Sequence, residues 1–377
     1  MPIASRRVPH ICFVAPYAYP LLGDKTDIAV VGGAEMQQVI VARALVARGY
    51  PVSMICLNFG QDDRVTIDGV RVYRSFRPAA GLPLVRFFWP RLASTWACLN
   101  RVNADIYYQR AAGMLTGVVA FFCSRRGKKS IFAVASNLDL SKDSAVVRCW
   151  PDRGIYEYGL RNVDQILVQN PEQARLCQAN IAREPVLIPN CYQATGPKEL
   201  TKRDYILWVS TIRKGKCPDL FLDLAEALPE FRFRMVGGHD CEEYDLFESI
   251  RVRASSMANV DFTGFVPYSQ IDKQFDGAKL LVSTSASEGF PNIFLQAWSR
   301  RVPTLSFVDC GARINEKPVG RIVDSIDEMK SAIMQWMSSD FELELQGNRC
   351  LEYFEKNHSV ELVLDLYEDV FDKLIPR

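Results

Sequence analysis

Three side chains in one short stretch could do chemistry together. Glu288, Asn292 and Gln296 lie in SEGFPNIFLQAW, the carboxylate ahead of an apolar-patterned run and the two amides four residues apart within it. Residues four apart share a helix face. A carboxylate and two amides at a phosphate site could hold the hydroxyls of a sugar or a ribose. Residues 280–308 around them read strand, tight loop, helix, strand. Leu280 to Ser283 is a short apolar run, and Ser285, Ser287 and Gly289 punctuate it. Pro291 sits where a first helical residue is favoured, since its missing N–H would be unpaired there. The helix is expected to reach about Arg300, and Pro303 to open the next strand. Glu288 and Gly289 then fall beyond the carboxyl end of a strand and at a helix mouth. Open α/β sheets bind ligands there, and free N–H groups and the helix dipole suit a phosphate. The same residues admit a plainer reading, an acidic group at the positive end of a helix with a solvated polar stripe behind it.

Two further loops carry the same logic. Thr211-Ile212-Arg213-Lys214-Gly215-Lys216 joins an expected strand at 205–209 to an expected helix opening at Pro218. Cations on a loop at a helix mouth supply the charge and hydrogen bonds a pyrophosphate needs; otherwise this is an exposed basic loop. Gly32-Gly33-Ala34-Glu35 follows a first strand at 10–16 and opens a helix to about Arg48, with Gly49 as its stop. Only glycine lets backbone N–H groups come so close to an anion, although an ordinary turn explains a lone Gly-Gly as well. Gly237-Gly238 ends another strand, at 231–236.

Elements alternate β and α along most of the chain, which predicts doubly wound α/β domains. Strands are expected at 52–57, 106–109, 131–135, 165–168 and 186–188, and a type I′ hairpin at 65–73 around Asp68-Gly69. Helices are expected over the latter part of 82–101 and at 111–123, 171–181, 325–337, 341–356 and 360–374. Residues 310–320 read as a polar loop, and 193–204 as a linker.

A length of 377 residues suggests two domains, and 48% hydrophobic residues supply two cores. No apolar run is long enough for a membrane span, and the N-terminal one is too short for a signal peptide. Eleven cysteines, with no C-x-x-C pair, fit reduced thiols in a cytoplasm rather than disulfides or zinc. Three dispersed histidines make no metal cluster. Residues 1–200 hold 24 Lys+Arg against 15 Asp+Glu, and residues 201–377 hold 21 against 29. A basic half suggests an anionic partner such as a membrane surface or a phosphorylated acceptor. No basic run interleaves with aromatics as a nucleic-acid face would. Phe87, Phe88 and Trp89 beside Arg86 and Arg91 have the character of an interfacial anchor, with a helix packed on the sheet as the alternative. Arg125, Arg126, Lys128 and Lys129 fall at the amino end of the sheet, away from the ligand edge.

SEGFPNIFLQAWSRRVP resembles the donor-sugar motif of retaining glycosyltransferases of family 4, E-G-F-x-x-x-x-L-E-A, and the resemblance extends over nearly the whole chain. It implies the GT-B fold: an α/β chain of two Rossmann-like domains facing across a cleft. The expected boundaries are 1–192 for the acceptor domain, 193–358 for the nucleotide-sugar domain and 359–377 for a helix crossing back. Pro189-Asn190 resembles the family hinge, with Cys191 in place of glycine. Glu288 matches the motif's first acid and would bind the donor sugar. Gln296 stands at the second, whose usual partner is the nucleotide ribose. Gly-Gly-Ala-Glu matches the family's glycine loop. Lys216 aligns with the diphosphate lysine; Thr211 replaces the usual arginine, and Arg213 could restore its charge. With Lys216, Arg213 and Glu288 in the catalytic roles, the donor set is completed by Gly32, Gly33, Gly237, Phe265, Val266, Gly289, Phe290, Asn292 and Gln296. The histidine that many members place near the acceptor is absent. Asn137, Asp139, Gln109 and Arg110 are the acceptor candidates, and Asp139 could equally be a cap.

The resemblance implies a hexosyl transfer from a UDP- or GDP-sugar to a glycan or lipid-linked acceptor. No metal and no cofactor is expected. The setting would be bacterial surface polysaccharide synthesis, in the cytoplasm or at the inner face of the plasma membrane. The departures at 211 and 296 keep two alternatives open, a non-catalytic GT-B scaffold for another transferase and a sugar-nucleotide epimerase.

Overall fold

The computed structural model describes residues 8–23, 32–81, 87–141, 147, 150–194, 202–239 and 243–375, with backbone alone for Phe87, Phe88 and Trp150. Most of the expected linker therefore lies outside the described residues. The chain divides into two compact units. Unit 1 runs to Cys191 and takes in the C-terminal helix from Val360; unit 2 spans Tyr192–Ser359.

Unit 1 contains β1 (Ile11–Val14), α1 (Tyr19–Leu22), α2 (Gly33–Ala47), β2 (Val52–Cys56), β3 (Arg64–Ile67), β4 (Val70–Arg74), α3 (Ala93–Val102), β5 (Ile106–Arg110), α4 (Met114–Arg126), β6 (Lys129–Ala133), α5 (Trp150–Asn162), β7 (Gln165–Val168), α6 (Pro171–Ile181) and β8 (Val186–Leu187). The sheet order is β3-β4-β2-β1-β5-β6-β7-β8, parallel except for β3 on β4. Its central strands are mostly apolar and buried along their length, as parallel strands covered on both faces must be. The antiparallel edge strand β3 instead alternates exposed and half-buried residues. Its hairpin turns at Asp68 and Gly69, both at positive φ, as a type I′ turn requires.

Unit 2 contains β9 (Tyr205–Val209), α7 (Pro218–Ala227), β10 (Arg232–Val236), α8 (Tyr244–Ser255), β11 (Val260–Gly264), α9 (Tyr268–Asp276), β12 (Ala278–Ser283), α10 (Asn292–Trp298), β13 (Thr304–Ser306), β14 (Arg313–Ile314), β15 (Lys317–Pro318), β16 (Arg321–Ile322), α11 (Ile326–Met337) and α12 (Asp340–Asn357). Its parallel sheet runs β11-β10-β9-β12-β13-β16. Trp208, Phe221, Phe233, Leu280 and Trp336 anchor its core. The last helix, α13 (Val360–Leu374), belongs to unit 1. Arg48 at the end of α2 pairs with its Asp365 at 2.6 Å, and the Tyr367 hydroxyl meets that of Tyr108 at 3.3 Å.

The observed elements correct several expectations. The helix expected at 111–123 starts at Met114, because Ala111 takes φ 72° and Gly113 is extended. The polar loop at 310–320 contains the small hairpin β14–β15, with Asn315 and Glu316 both at positive φ. Pro291 is the N-cap of α10 rather than its first residue, and α10 stops at Trp298 with Arg301 at φ 56°. Helices α5 and α8 occupy stretches where patterning predicted none. In α5 one of the glycines that weaken the signal, Gly159, is what allows its packing. A Cβ on Gly117 of α4 would sit 2.0 Å from the Ile155 carbonyl oxygen, and one on Gly159 would sit 2.6 Å from the Gly117 nitrogen.

Backbone lies against backbone at that crossing, so no side-chain shift can make room. Gly159→Val should destabilise unit 1 by about 1–3 kcal/mol or more. Thermal denaturation should show Tm falling by several degrees, and an unchanged Tm would sink this account of the α4–α5 contact.

Candidate active site

In each unit the strand order reverses direction beside the first strand. In unit 2 the point lies between β9 and β12, which pair in parallel. The loops leaving their carboxyl ends diverge there and leave a crevice. One loop carries Arg213 to Lys216 and the other carries Glu288. In unit 1 the corresponding strands are β1 and β5, whose following loops carry Gly32-Gly33 and Ala111 to Gly113.

The two unit 2 loops are tied together by hydrogen bonds that sequence spacing does not reveal. The Trp208 indole N–H donates to Thr284 Oγ1 at 3.0 Å, and that hydroxyl donates to the Lys216 carbonyl at 2.8 Å. Ala286 N–H donates to the Gly215 carbonyl at 3.1 Å. Residues 214–216 form a single 3-10 turn closed by Cys217 in the left-handed conformation. This framework aims the Lys216 ammonium at the Glu288 carboxylate, and the two form an ion pair. Both side chains are mostly buried, at 18% and 17% exposure. The expected cation and carboxylate therefore meet, 72 residues apart in sequence. Arg213 lies exposed at the start of the 3-10 turn, and Glu243 accepts from Lys214 N–H at 2.7 Å.

The glycines beside the site follow from close approach. A Cβ on Gly237 would lie 2.0 Å from the Ser210 carbonyl oxygen at the end of β9, and one on Gly238 would lie 3.2 Å from Phe265. Phe265 and Val266 are half-buried on the loop after β11. Gly289 and Asn292 are half-buried, and Phe290 is buried against the His358 and Trp298 rings.

Gln296 is placed differently from Glu288. It is 3% exposed, and its side chain donates a hydrogen bond to the Tyr192 hydroxyl. That hydroxyl donates to Asp272, which pairs with Arg300 at 2.6 Å. Spacing alone suggested one face shared with Asn292. It could not show that this face meets Tyr192 at that depth, and Tyr192, Asp272 and Arg300 carried no local signal.

In unit 1 most of the candidates are occupied by the fold itself. Asp139 is buried and caps the turn at 137–140, its carboxylate accepting from Ala135 N–H at 2.7 Å and Ser136 N–H at 3.2 Å. Burial raises its pKa, and those amides pull it back. This is the capping alternative rather than a free carboxylate. Gln109 is buried, donating to the Arg110 and Ala111 carbonyls and accepting from Thr116. Arg110 is 8% exposed and donates to Asn190 Oδ1 at 2.7 Å, while its Nε has no partner. Asn137 Oδ1 is likewise buried without one. Gly32 caps α2, with the Glu35 carboxylate folded over it, and Gly33 is exposed. Among the described residues no group of three His, Cys, Asp or Glu side chains is placed to hold a metal.

Two family models match the chain. "Glycosyl transferases group 1" covers residues 195–349, and "Glycosyl transferase 4-like domain" covers residues 32–191. No match was found among curated proteins. The fold is similar to that of a sucrose-phosphate synthase from Thermosynechococcus elongatus, with a TM-score of 0.76 and 15% identity over 97% of this chain and 99% of that one. It is also similar to Anabaena HepE in complex with UDP and glucose, with a TM-score of 0.71 and 13% identity over 97% and 100%. A glycosyltransferase from Rickettsia africae aligns with a TM-score of 0.72 and 12% identity over 98% and 100%.

An anion entering this crevice competes with Glu288 for Lys216. Glu288→Gln removes the competitor and its repulsion together, so inorganic pyrophosphate should bind the variant about two- to fivefold more tightly, as the loss of a partly exposed ion pair implies. Calorimetry at low salt reads this directly. Weaker binding by the variant would show that Lys216 needs Glu288 to hold its position.

Proposed function

We propose a sugar transfer for this chain, which belongs to the glycosyltransferases of group 1 and has the GT-B fold. The donor is a UDP- or GDP-sugar held by unit 2, the acceptor is a hydroxyl of a glycan or lipid-linked molecule, and the anomeric configuration is retained. The observation that carries this reading is the Lys216–Glu288 pair at the β9–β12 switch point. A complex of HepE with UDP-glucose supports it from a protein of the same fold.

The chemistry follows from where charge develops. As the bond from sugar to diphosphate breaks, negative charge grows on the leaving phosphate oxygens. Lys216, supplemented by Arg213 on the same loop, stabilises that charge. Glu288, released from Lys216 by the incoming diphosphate, is free to accept from a sugar hydroxyl. The leaving diphosphate takes the acceptor proton on the same face, so this mechanism needs neither a histidine base nor a covalent enzyme intermediate. The cationic work falls to side chains, and the reading invokes no metal. In unit 1, Arg110 and Asn137 retain unpartnered buried atoms and are the groups best able to meet an acceptor.

The setting we propose is bacterial surface polysaccharide synthesis, with unit 1 touching the inner face of the plasma membrane. Among the described residues no helix is long and apolar enough to cross a membrane, so the contact would be peripheral. A groove of about 480 Å³ lined by Leu92, Trp96, Phe121, Ile155 and Tyr158 is almost wholly apolar. Arg125 lies 5.1 Å over the Phe121 ring, and Trp89 is 72% exposed. Apolar side chains bordered by arginine suit an anionic lipid surface. A scaffold role for a partner transferase is favoured by the commitment of Gln296 to Tyr192 and by Thr211 in place of arginine; co-purification of a partner without any transfer activity would support it.

Lys216→Ala should remove most transfer activity, with kcat down about 100-fold or more, while the fold stays intact by circular dichroism. In a thermal-shift screen of UDP, GDP, ADP and their sugar conjugates, one nucleotide should stabilise the wild type and not the variant. Wild-type turnover by Lys216→Ala would refute the role. Trp89→Ser/Phe121→Ser should lower co-sedimentation with anionic liposomes severalfold, and equal binding would end the membrane reading.

A further inference from the structure

The chain passes from unit 1 to unit 2 between Cys191 and Tyr192, and both residues are buried. On the unit 1 side, Gln37 of α2 holds Cys191 by both of its backbone groups. Its Nε2 donates to the Cys191 carbonyl at 2.8 Å, and its Oε1 accepts from the Cys191 N–H at 3.0 Å. On the unit 2 side, Gln296 of α10 donates to the Tyr192 hydroxyl, which donates to Asp272. Arg300 pairs with Asp272 at 2.6 Å and with Asp276 at 3.1 Å, and its guanidinium lies 5.8 Å from the Tyr192 ring centre. Tyr192 N–H donates to the His358 carbonyl at 3.1 Å, and the His358 ring packs 4.8 Å from Phe290. The two glutamines thus sit on α2, which opens at Gly32-Gly33, and on α10, which follows Glu288-Gly289.

We propose that Gln37 and Gln296 are positioning residues that fix the Cys191–Tyr192 connection to the helices following the two candidate ligand loops, and that Gln296 acts through Tyr192 rather than on the nucleotide ribose. The polarity of the chain explains the amide. The Tyr192 proton goes to Asp272, so the Tyr192 oxygen must receive a proton from its other neighbour. An ionised carboxylate at 296 has none to give, and it would add a third negative charge beside Asp272 and Asp276, which Arg300 already pairs. The family's acid is therefore excluded here by what the side chain touches.

The test compares Gln296→Glu, Tyr192→Phe and their combination, and rests on the transferase reading only for its kinetic arm. At pH 8, Gln296→Glu should lower kcat about tenfold and change KM for the donor less than twofold, as loss of one charge-linked buried hydrogen bond implies. Relative to wild type, the loss should shrink near pH 5, where the introduced carboxyl is protonated and can donate. Tyr192→Phe should cost as much, and the combination no more than either change alone. Independently of catalysis, hydrogen exchange at the amide of residue 192 should speed at least about fivefold in each variant, and at the Cys191 amide in Gln37→Leu. Tighter donor binding by Gln296→Glu, additive losses, or unchanged exchange would overturn the proposal. If the wild type binds no nucleotide at all, the transferase reading fails and the exchange arm still decides this one.

Discussion

The adjacency of β9 and β12 is the constraint from which the rest of unit 2 follows. They pair in parallel although α7, β10, α8, β11 and α9 intervene in sequence. Because the strand order reverses between them, the loops that leave their carboxyl ends diverge. That topology brings the loops of Lys216 and Glu288 to one crevice, where the two side chains pair. The polar ties that refine the meeting form a relay: an indole on β9, a hydroxyl after β12 and the Lys216 carbonyl. A buried hydrogen-bond relay of this kind is costly to break at any link. The position of the lysine is thus determined by the sheet and not by the loop's own conformational preference.

The charge arithmetic of unit 2 has a second consequence. Glu288 and Gln296 are eight positions apart and belong to one motif, yet their surroundings divide them. Glu288 meets a single cation with partial access to water. Gln296 meets a hydroxyl that donates to Asp272, which in turn pairs with a buried arginine. One motif therefore serves two physical purposes, a partly exposed paired charge at its start and an internal hydrogen-bond donor further along.

Much of this was legible in the sequence where the signals were local. Buried strands read as continuous apolar runs, Asp68-Gly69 read as a hairpin, and the cationic loop before Pro218 and the acidic loop before Asn292 read as loops at the carboxyl ends of their strands. The pairing of Lys216 with Glu288 could be anticipated only from the alternation of strands and helices and the family resemblance. The burial of Gln296 could not, because Tyr192 and Asp272, themselves 80 residues apart, decide it. Asp139 shows the opposite failure. A carboxylate at a strand end was read correctly as polar and well placed, but the backbone claimed it first. Helix α5 was missed because its glycines weigh against a helix locally, while the α4 backbone that Gly159 admits lies far away in sequence.

Cys217 closes the turn that carries Lys216, in the left-handed conformation. Every other described cysteine is buried, and burial holds the Cys12, Cys56, Cys123, Cys191 and Cys350 thiols far above their usual range. The thiolate is the form that reacts, so these groups resist modification. Among the described cysteines, alkylating reagents and fluorophores would therefore favour one position, a single residue from the candidate catalytic lysine, giving the protein a built-in attachment point for an optical reporter of that candidate site.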